Sequence, residues 1–221
     1  MSSPEIFELM RTAVIEGRTA EAERLARQAV AQGINPNEAL ERGFIPGIRR
    51  VGELWEQGEY FLPELVTSAE CMKAALAVLK PELDRTRQES VLRGKVVIGT
   101  VEGDIHDIGK NLVAAMFAAN GFEVFDLGAD VKLQAFIDKA RAVQADFVCL
   151  SALLTTTMLN QRRFMGLVRE QNLAGSFKTL VGGAPVTKKW AEDIGAQGYA
   201  ENALAAVRLA LSLSPRAKER S

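Results

Sequence analysis

From Lys95 onward, short β-branched runs alternate with apolar helical stretches, and this alternation constrains the fold of the 221-residue chain more than any other feature. Lys95–Thr100, then 122–126, 146–150, 178–181 and a weak run near 197–200 read as strands. Stretches at about 108–119, 132–143, 158–172, 187–194 and 203–211 read as helices. Such βα alternation predicts a doubly wound, five-stranded parallel sheet of flavodoxin-like or Rossmann-like type, in the order 2-1-3-4-5. In these sheets ligands bind beyond the carboxyl ends of the strands, beside the switch between strands 1 and 3. The loops at those ends carry the small and hydrogen-bonding residues: Gly103 to Gly109 after strand 1, Ser151 to Thr157 after strand 3, Gly182-Gly183-Ala184 after strand 4, and Glu201-Asn202-Ala203 after strand 5.

The first 80 residues follow a different pattern, with apolar residues at helical spacing throughout. Gly17, Gly33 and the pairs Asn35-Pro36 and Leu62-Pro63 divide them into four helices, with a break or kink at Pro46 and the last helix ending before Pro81. The expected organisation is α plus α/β: a four-helix bundle over 1–80, a charged linker over 81–94, the α/β domain over 95–213 and a short charged tail over 214–221.

Composition narrows the function classes. A net charge of -1 gives no electrostatic case for binding nucleic acid or an anionic membrane. The two cysteines, Cys71 and Cys149, are far apart and form no CxxC pair, which fits a reducing compartment and argues against a thiolate zinc site. No signal-peptide pattern opens the chain, and no apolar run approaches the ~20 residues of a membrane span. A soluble, cytoplasmic protein is expected.

His106 is the only histidine in the chain, and it stands in the loop after strand 1. A neutral imidazole is a common transition-metal ligand, and Asp104 could accept from its second nitrogen and fix the tautomer. By itself an Asp-x-His pair is more often a local hydrogen bond than a metal site. The loops offer no other histidine or cysteine, so an ordinary zinc or iron site would lack ligands. A metal already held by a macrocycle needs only one protein ligand, which points to haem or a corrinoid. Gly103-x5-Gly109-Lys110-Asn111 fails as a P-loop, which has four intervening residues and Ser or Thr after the lysine. A phosphorylated receiver domain would need aspartate at the end of strand 3, where this chain has Leu150-Ser151.

With Asp104-x-His106-x-x-Gly109, Ser151-x-Leu153 and Gly182-Gly183 following strands 1, 3 and 4, the chain resembles the cobalamin-binding modules of methyltransferases. Phe61-Leu-Pro-Glu-Leu-Val-x-Ser-Ala69 is similar to the methyl-cap bundle of cobalamin-dependent methionine synthase, so the resemblance runs from about residue 3 to 212. In size the chain looks most like the corrinoid proteins of methylamine, methanol and methoxyaromatic methyltransferase systems. The resemblance implies a cobalamin or related corrinoid whose own base leaves the cobalt while its nucleotide tail enters the α/β domain. It makes His106 the lower axial cobalt ligand, Asp104 its orienter and Thr157 the third member of a relay, where the family carries a serine. This is a departure, because threonine adds a methyl group and stiffens χ1.

The resemblance further implies that Gly103, Asp104, Ile105, His106 and Asp107 line the loop beneath the corrin. Ser151, Leu153 and Thr155 fall at or beside positions that contact the base and tail. Gly109, Gly182 and Gly183 leave room for the tail, and Ala203 makes a backbone contact. In the cap, Trp55 and Leu62 match residues covering the upper face, and Glu41 matches a corrin-contacting carboxylate. Read without the resemblance, Trp55 and Leu62 could be bundle core and Glu41 a solvated helix charge. Tyr60 and Phe61 read as core, and Lys110, Arg49 and Arg50 as solvated.

The implied function is one-carbon metabolism by methyl transfer. A corrinoid-bound carrier, methylated in its cycle, would take a methyl group from a substrate-specific methyltransferase and pass it to an acceptor methyltransferase, with a reductive activator as a further partner. It would be a methyl-carrying subunit rather than a stand-alone catalyst. The alternative is a cobalamin-dependent light or ligand sensor, for which no DNA-binding or signalling segment is evident. The cobalamin subunit of a carbon-skeleton mutase would lack a methyl-cap bundle.

Overall fold

The computed structural model describes residues 3–86 and 92–214. The chain divides into two compact units, a helical one of the residues up to Leu92 together with Ala118–Gly121, and an α/β one of Arg93–Phe117 and the residues from Phe122 on.

The helical unit contains α1 (Ser3–Ile15), α2 (Thr19–Ala31), a single turn α3 (Pro36–Glu38), a π-helical segment (Ala39–Phe44), α4 (Ile45–Glu56) and α5 (Leu62–Thr86). Helix α2 packs on α5, and α1 packs on α2 and α4. Ile6, Met10, Leu25, Leu40, Phe44, Ile48, Leu65 and Leu79 are fully buried between them. Asn35 caps the third arm by accepting the Asn37 N–H at 2.9 Å. The irregularity expected at Pro46 takes the form of the π-helical stretch just before it. Pro46 has no N–H to give the Arg42 carbonyl. Arg11 Nη2 donates to that carbonyl instead, at 3.3 Å, and the Ile45 N–H reaches back five residues to Leu40.

The last helix does not end before Pro81. It runs through that residue to Thr86. An internal proline costs about 3 kcal/mol, and burial of Leu79 and Leu83, one turn apart on one face, offsets it. The first six residues of the expected linker, Pro81 to Thr86, are therefore helical. Its end is also ordered: Ser214 Oγ donates to the Arg93 carbonyl and the Glu123 N–H to that of Gly94. The rest of the expected linker, 87–91, and the tail from 215 on lie outside the described residues. Ser214, assigned to the tail, is buried.

The α/β unit is the expected doubly wound sheet, all parallel, in the order β2-β1-β3-β4-β5. The strands are β1 (Lys95–Thr100), β2 (Glu123–Asp126), β3 (Phe147–Ser151), β4 (Lys178–Gly182) and β5 (Gly198–Tyr199). The helices are α6 (Ile108–Ala119), α7 (Leu133–Val143), α8 (Thr155–Glu170), α9 (Lys188–Ile194) and α10 (Ala203–Leu213). Successive strand residues face opposite sides, so two sets of cross-strand rows organise the site. Val97, Val148, Leu150 and Val181 join Phe136, Phe164 and Phe177 in a core beneath α7, α8 and α9. The other face carries two rows in register: Ile98–Cys149–Leu180, and beyond it Thr100–Ser151–Gly182 at the carboxyl ends.

Helix α8 begins at Thr155, three residues earlier than its apolar periodicity indicates. Thr155 and Thr157 are therefore helical, and Thr157 closes the first turn by accepting the Leu154 N–H at 3.3 Å.

Candidate functional site

The loop from Val101 to Asp107 sits on the switch between β1 and β3, and Asp104 is its buried anchor, 1 % exposed. One carboxylate oxygen, Oδ2, accepts from the Thr157 hydroxyl at 2.6 Å and from the Leu153 N–H at 2.7 Å. The other, Oδ1, accepts the His106 backbone N–H at 3.1 Å and lies 2.8 Å from His106 Nδ1. Burial pushes the Asp104 carboxyl up. The hydrogen bonds from Thr157, Leu153 and His106 together outweigh burial and hold the carboxyl well below the usual carboxylate range.

The tautomer of His106 follows. An ionised Asp104 can only accept, so Nδ1 must carry the proton. In neutral imidazole the lone pair is then on Nε2. The ring is half exposed, and among the described residues no side chain takes Nε2. The imidazole is thus held in one orientation with Nε2 facing outward. Its carbonyl is pinned by Thr100 Oγ1 at 2.9 Å.

Three residues of this frame carry no motif signal. Thr100 is the last residue of β1 and is fully buried. Asp130 Oδ1 accepts the Gly103 N–H at 2.7 Å, and its own N–H donates to the Asp104 carbonyl. Gln161 Nε2 donates to the carbonyls of Leu150 and Gly182, tying β3 to β4 at the site. A hydroxyl at a strand terminus and a carboxylate after β2 were the available cues.

Beside the histidine opens a cleft of about 660 Å³, within the range of cofactor sites. Gly109, Leu112 and Val113 on α6 and Ala203 and Ala206 on α10 form its walls against the sheet face carrying Ile98, Cys149 and Leu180. Ile105, His106, Asp107, Ser151, Leu153, Gly182 and Gly183 stand around it as well. The structure thus gathers most of the expected site residues. Buried Asp104 and Thr157 support the loop from within, and Gly103, exposed in the same loop, is not among the residues lining the cleft. Thr155 is exposed at the start of α8, outside the residues that line the cleft.

The glycines divide by role. A Cβ on Gly109 would meet nothing within 4 Å, so its absence leaves open cleft. A Cβ on Gly183 would lie 1.8 Å from the Ala152 carbonyl oxygen, and φ there is +126°. Glycine at 183 is therefore demanded by the close approach of two loops, whatever the ligand.

Lys110, expected to be solvated, is 3 % exposed. Its ammonium donates to Asp126 Oδ2 at 2.5 Å and to Asn111 Oδ1 at 2.6 Å. Asn111 Nδ2 in turn donates to Asp107 in the histidine loop. In the helical unit, Trp55 and Leu62 are half-buried rather than core, and Glu41 is exposed on the π-helical segment. Phe61, expected in the core, is 65 % exposed, whereas Tyr60 donates to the Ile15 carbonyl at 3.1 Å.

Comparison with known proteins places this geometry. The profile of the B12-binding domain matches residues 94–208, and a second B12-binding domain profile matches 6–80. A corrinoid protein of Desulfitobacterium hafniense is 45 % identical over 206 residues, 93 % of this chain and 95 % of its own. Trimethylamine corrinoid protein 2 of Methanosarcina acetivorans is 44 % identical, over 92 % of this chain and 94 % of its own. Among solved structures, the methanol:cobalamin methyltransferase complex MtaBC of Methanosarcina barkeri superposes with a TM-score of 0.79 at 27 % identity, covering 96 % of this chain and 80 % of that one.

The residues present suit such a group. Among the described residues no cluster of three or more His, Cys, Asp or Glu could hold a bare metal ion, so a metal bound here has to bring most of its own ligands. His106 offers one nitrogen, and the adjoining apolar cleft offers room for an appended group. The chain belongs to the B12-binding corrinoid proteins, and its cofactor is a cobalamin-type corrinoid.

Proposed function

We propose that the protein is a methyl carrier, accepting a methyl group from a donor-specific methyltransferase and delivering it to a second methyltransferase. The observation that carries this reading is the His106–Asp104–Thr157 chain, which leaves one unpaired imidazole nitrogen facing out at the mouth of an apolar cleft. Relatives named as trimethylamine and monomethylamine corrinoid proteins, and the methanol methyltransferase complex, support the assignment to such systems. The bound corrinoid supplies a cobalt able to accept and release a methyl group.

The chain's own residues then have distinct tasks. His106 would hold the metal through Nε2, and Asp104 keeps Nδ1 protonated so that the lone pair stays outward. A ligand that comes and goes changes the basicity of the imidazole. A compensating proton shift would run along the hydrogen bond from His106 Nδ1 to Asp104 Oδ1, while the Thr157 hydroxyl donates to the other carboxylate oxygen. The cleft takes the nucleotide tail, with Gly109 leaving its entrance open. In the helical unit Trp55 and Leu62 are half-buried and Phe61 is exposed, apolar side chains that could meet an uncharged ligand face.

The test is transfer of isotopically labelled methyl groups. Reconstituted protein is incubated with purified methylamine- or methanol-type methyltransferases and their labelled donors. Label should enter the protein fraction with one donor enzyme and leave it when a second methyltransferase and its acceptor are added. Label that never becomes protein-bound with any of them would remove the carrier reading.

A further inference from the structure

We propose that the cleft selects the lower base of its corrinoid, taking an apolar benzimidazole-type base and disfavouring a purine, with Cys149 at the floor as the residue that sets this preference. The inference rests on the reading above that the nucleotide tail enters the cleft.

Depth and polarity are the observations. Ser151 stands at the carboxyl end of β3, at the mouth. Cys149 lies two residues further in, about 6.6 Å deeper at ~3.3 Å per strand residue. It is flanked in register by Ile98 and Leu180, and Leu112, Val113 and Ala206 close the sides. The strand backbones at this level are paired with each other. Lys110, the nearest cation on α6, is held by Asp126 and Asn111. Among the described residues of the Ile98–Cys149–Leu180 row and the flanking Leu112, Val113 and Ala206, the Cys149 thiol is the one polar side-chain group. Burial pushes it up, so it stays un-ionised, and a thiol is a weak donor and acceptor.

The chemistry of the base decides the outcome. A benzimidazole or purine is joined to its ribose through the five-membered ring, so the six-membered ring leads into the cleft. In benzimidazole that leading edge is carbon and hydrogen. In a purine it carries two ring nitrogens, and in adenine an amino group as well. Burying those groups against Ile98, Cys149 and Leu180 leaves them without strong partners, which is unfavourable. An apolar pocket rejects a more polar isostere by a limited factor, on the order of 10²-fold at most.

The full chain, freed of cofactor, is titrated with three compounds and followed by the absorbance of the cobalt chromophore. These are cobalamin, the corresponding cobamide with an adenine base, and cobinamide, which lacks the nucleotide. The adenine form should bind roughly 10- to 100-fold more weakly than cobalamin. Cys149→Ser, nearly isosteric but a better hydrogen-bonding group, should narrow that gap several-fold. Cys149→Leu, which fills the floor, should weaken cobalamin about tenfold or more while leaving cobinamide unchanged, and the retained cobinamide binding reports that the variant is folded. Equal affinity of the wild type for the two cobamides would overturn the inference and leave the carrier reading standing. So would a selectivity identical in the wild type and Cys149→Ser. Failure of all three compounds to bind would overturn both.

Discussion

The Thr157 hydroxyl reaches the Asp104 carboxylate at 2.6 Å although 53 residues separate the two in sequence. A second acceptor, the Leu154 carbonyl, lies 3.0 Å from the same oxygen, but the shorter contact to a charged group is the stronger one. The extra methyl that distinguishes threonine from serine does not block this contact. A Cβ at Gly103 would still sit 3.8 Å from Thr157 Cγ2, an ordinary van der Waals distance. Thr157→Ser should therefore leave both stability and cobalamin binding close to wild type. Thr157→Ala removes a hydrogen bond to a buried carboxylate and should cost about 1–3 kcal/mol. Denaturant midpoints of the two variants, measured side by side, check this.

Asp104→Asn should be more damaging at neutral pH than in acid. The amide turns a donor toward groups that are themselves donors, the Leu153 N–H and His106 Nδ1–H. The wild-type carboxyl is held below its unfolded value of about 3.9, so its contribution to stability is complete above that value. It is lost as pH falls through the native value. The difference in unfolding midpoint between wild type and Asp104→Asn should be smaller at pH 3 than at pH 5. A difference at pH 3 equal to or larger than that at pH 5 would contradict the hydrogen-bond arrangement described for Asp104.

Two glycines at the same cleft should respond in opposite ways to alanine. Gly183→Ala forces a Cβ to within 1.8 Å of a backbone oxygen at a positive φ, so the α/β unit should be strongly destabilised without any cofactor present. Gly109→Ala, near the start of α6 with nothing within 4 Å, should keep or raise stability by up to about 1 kcal/mol, since alanine favours helix. It should nonetheless weaken cobalamin binding, because the methyl group points into open cleft. Thermal unfolding of the cofactor-free proteins and a cobalamin titration separate the two effects.

These contrasts indicate what can be read from sequence and what cannot. The strand order and the positions of the loops were legible because each β-branched run is short, bounded by turn residues and followed by a helical period. His106 and Asp104 stood out because a lone histidine two residues from a carboxylate falls at the topological switch. Pro81 was misleading, since local propensity gave a helix end and the burial of Leu79 and Leu83 overrode it. Lys110 read as a surface charge, yet this α6 residue has its partner Asp126 at the end of β2, a pairing no local pattern contains. Phe61 read as core by residue type alone, and its exposure reflects a position at the turn into α5 rather than within the bundle. Thr100 and Asp130 were invisible because each acts on a backbone group brought near only by the fold.

The central claim is that His106 Nε2 ligates the metal of a bound corrinoid. Replacing His106 with Gly and recording the ultraviolet–visible spectrum of the cobalamin-loaded protein tests it most directly. The variant should still take up cobalamin through the cleft, but its spectrum should lose the signature of an imidazole-ligated cobalt and regain it when free imidazole is added. A spectrum identical to wild type, unaltered by imidazole, would show that this histidine is not the ligand.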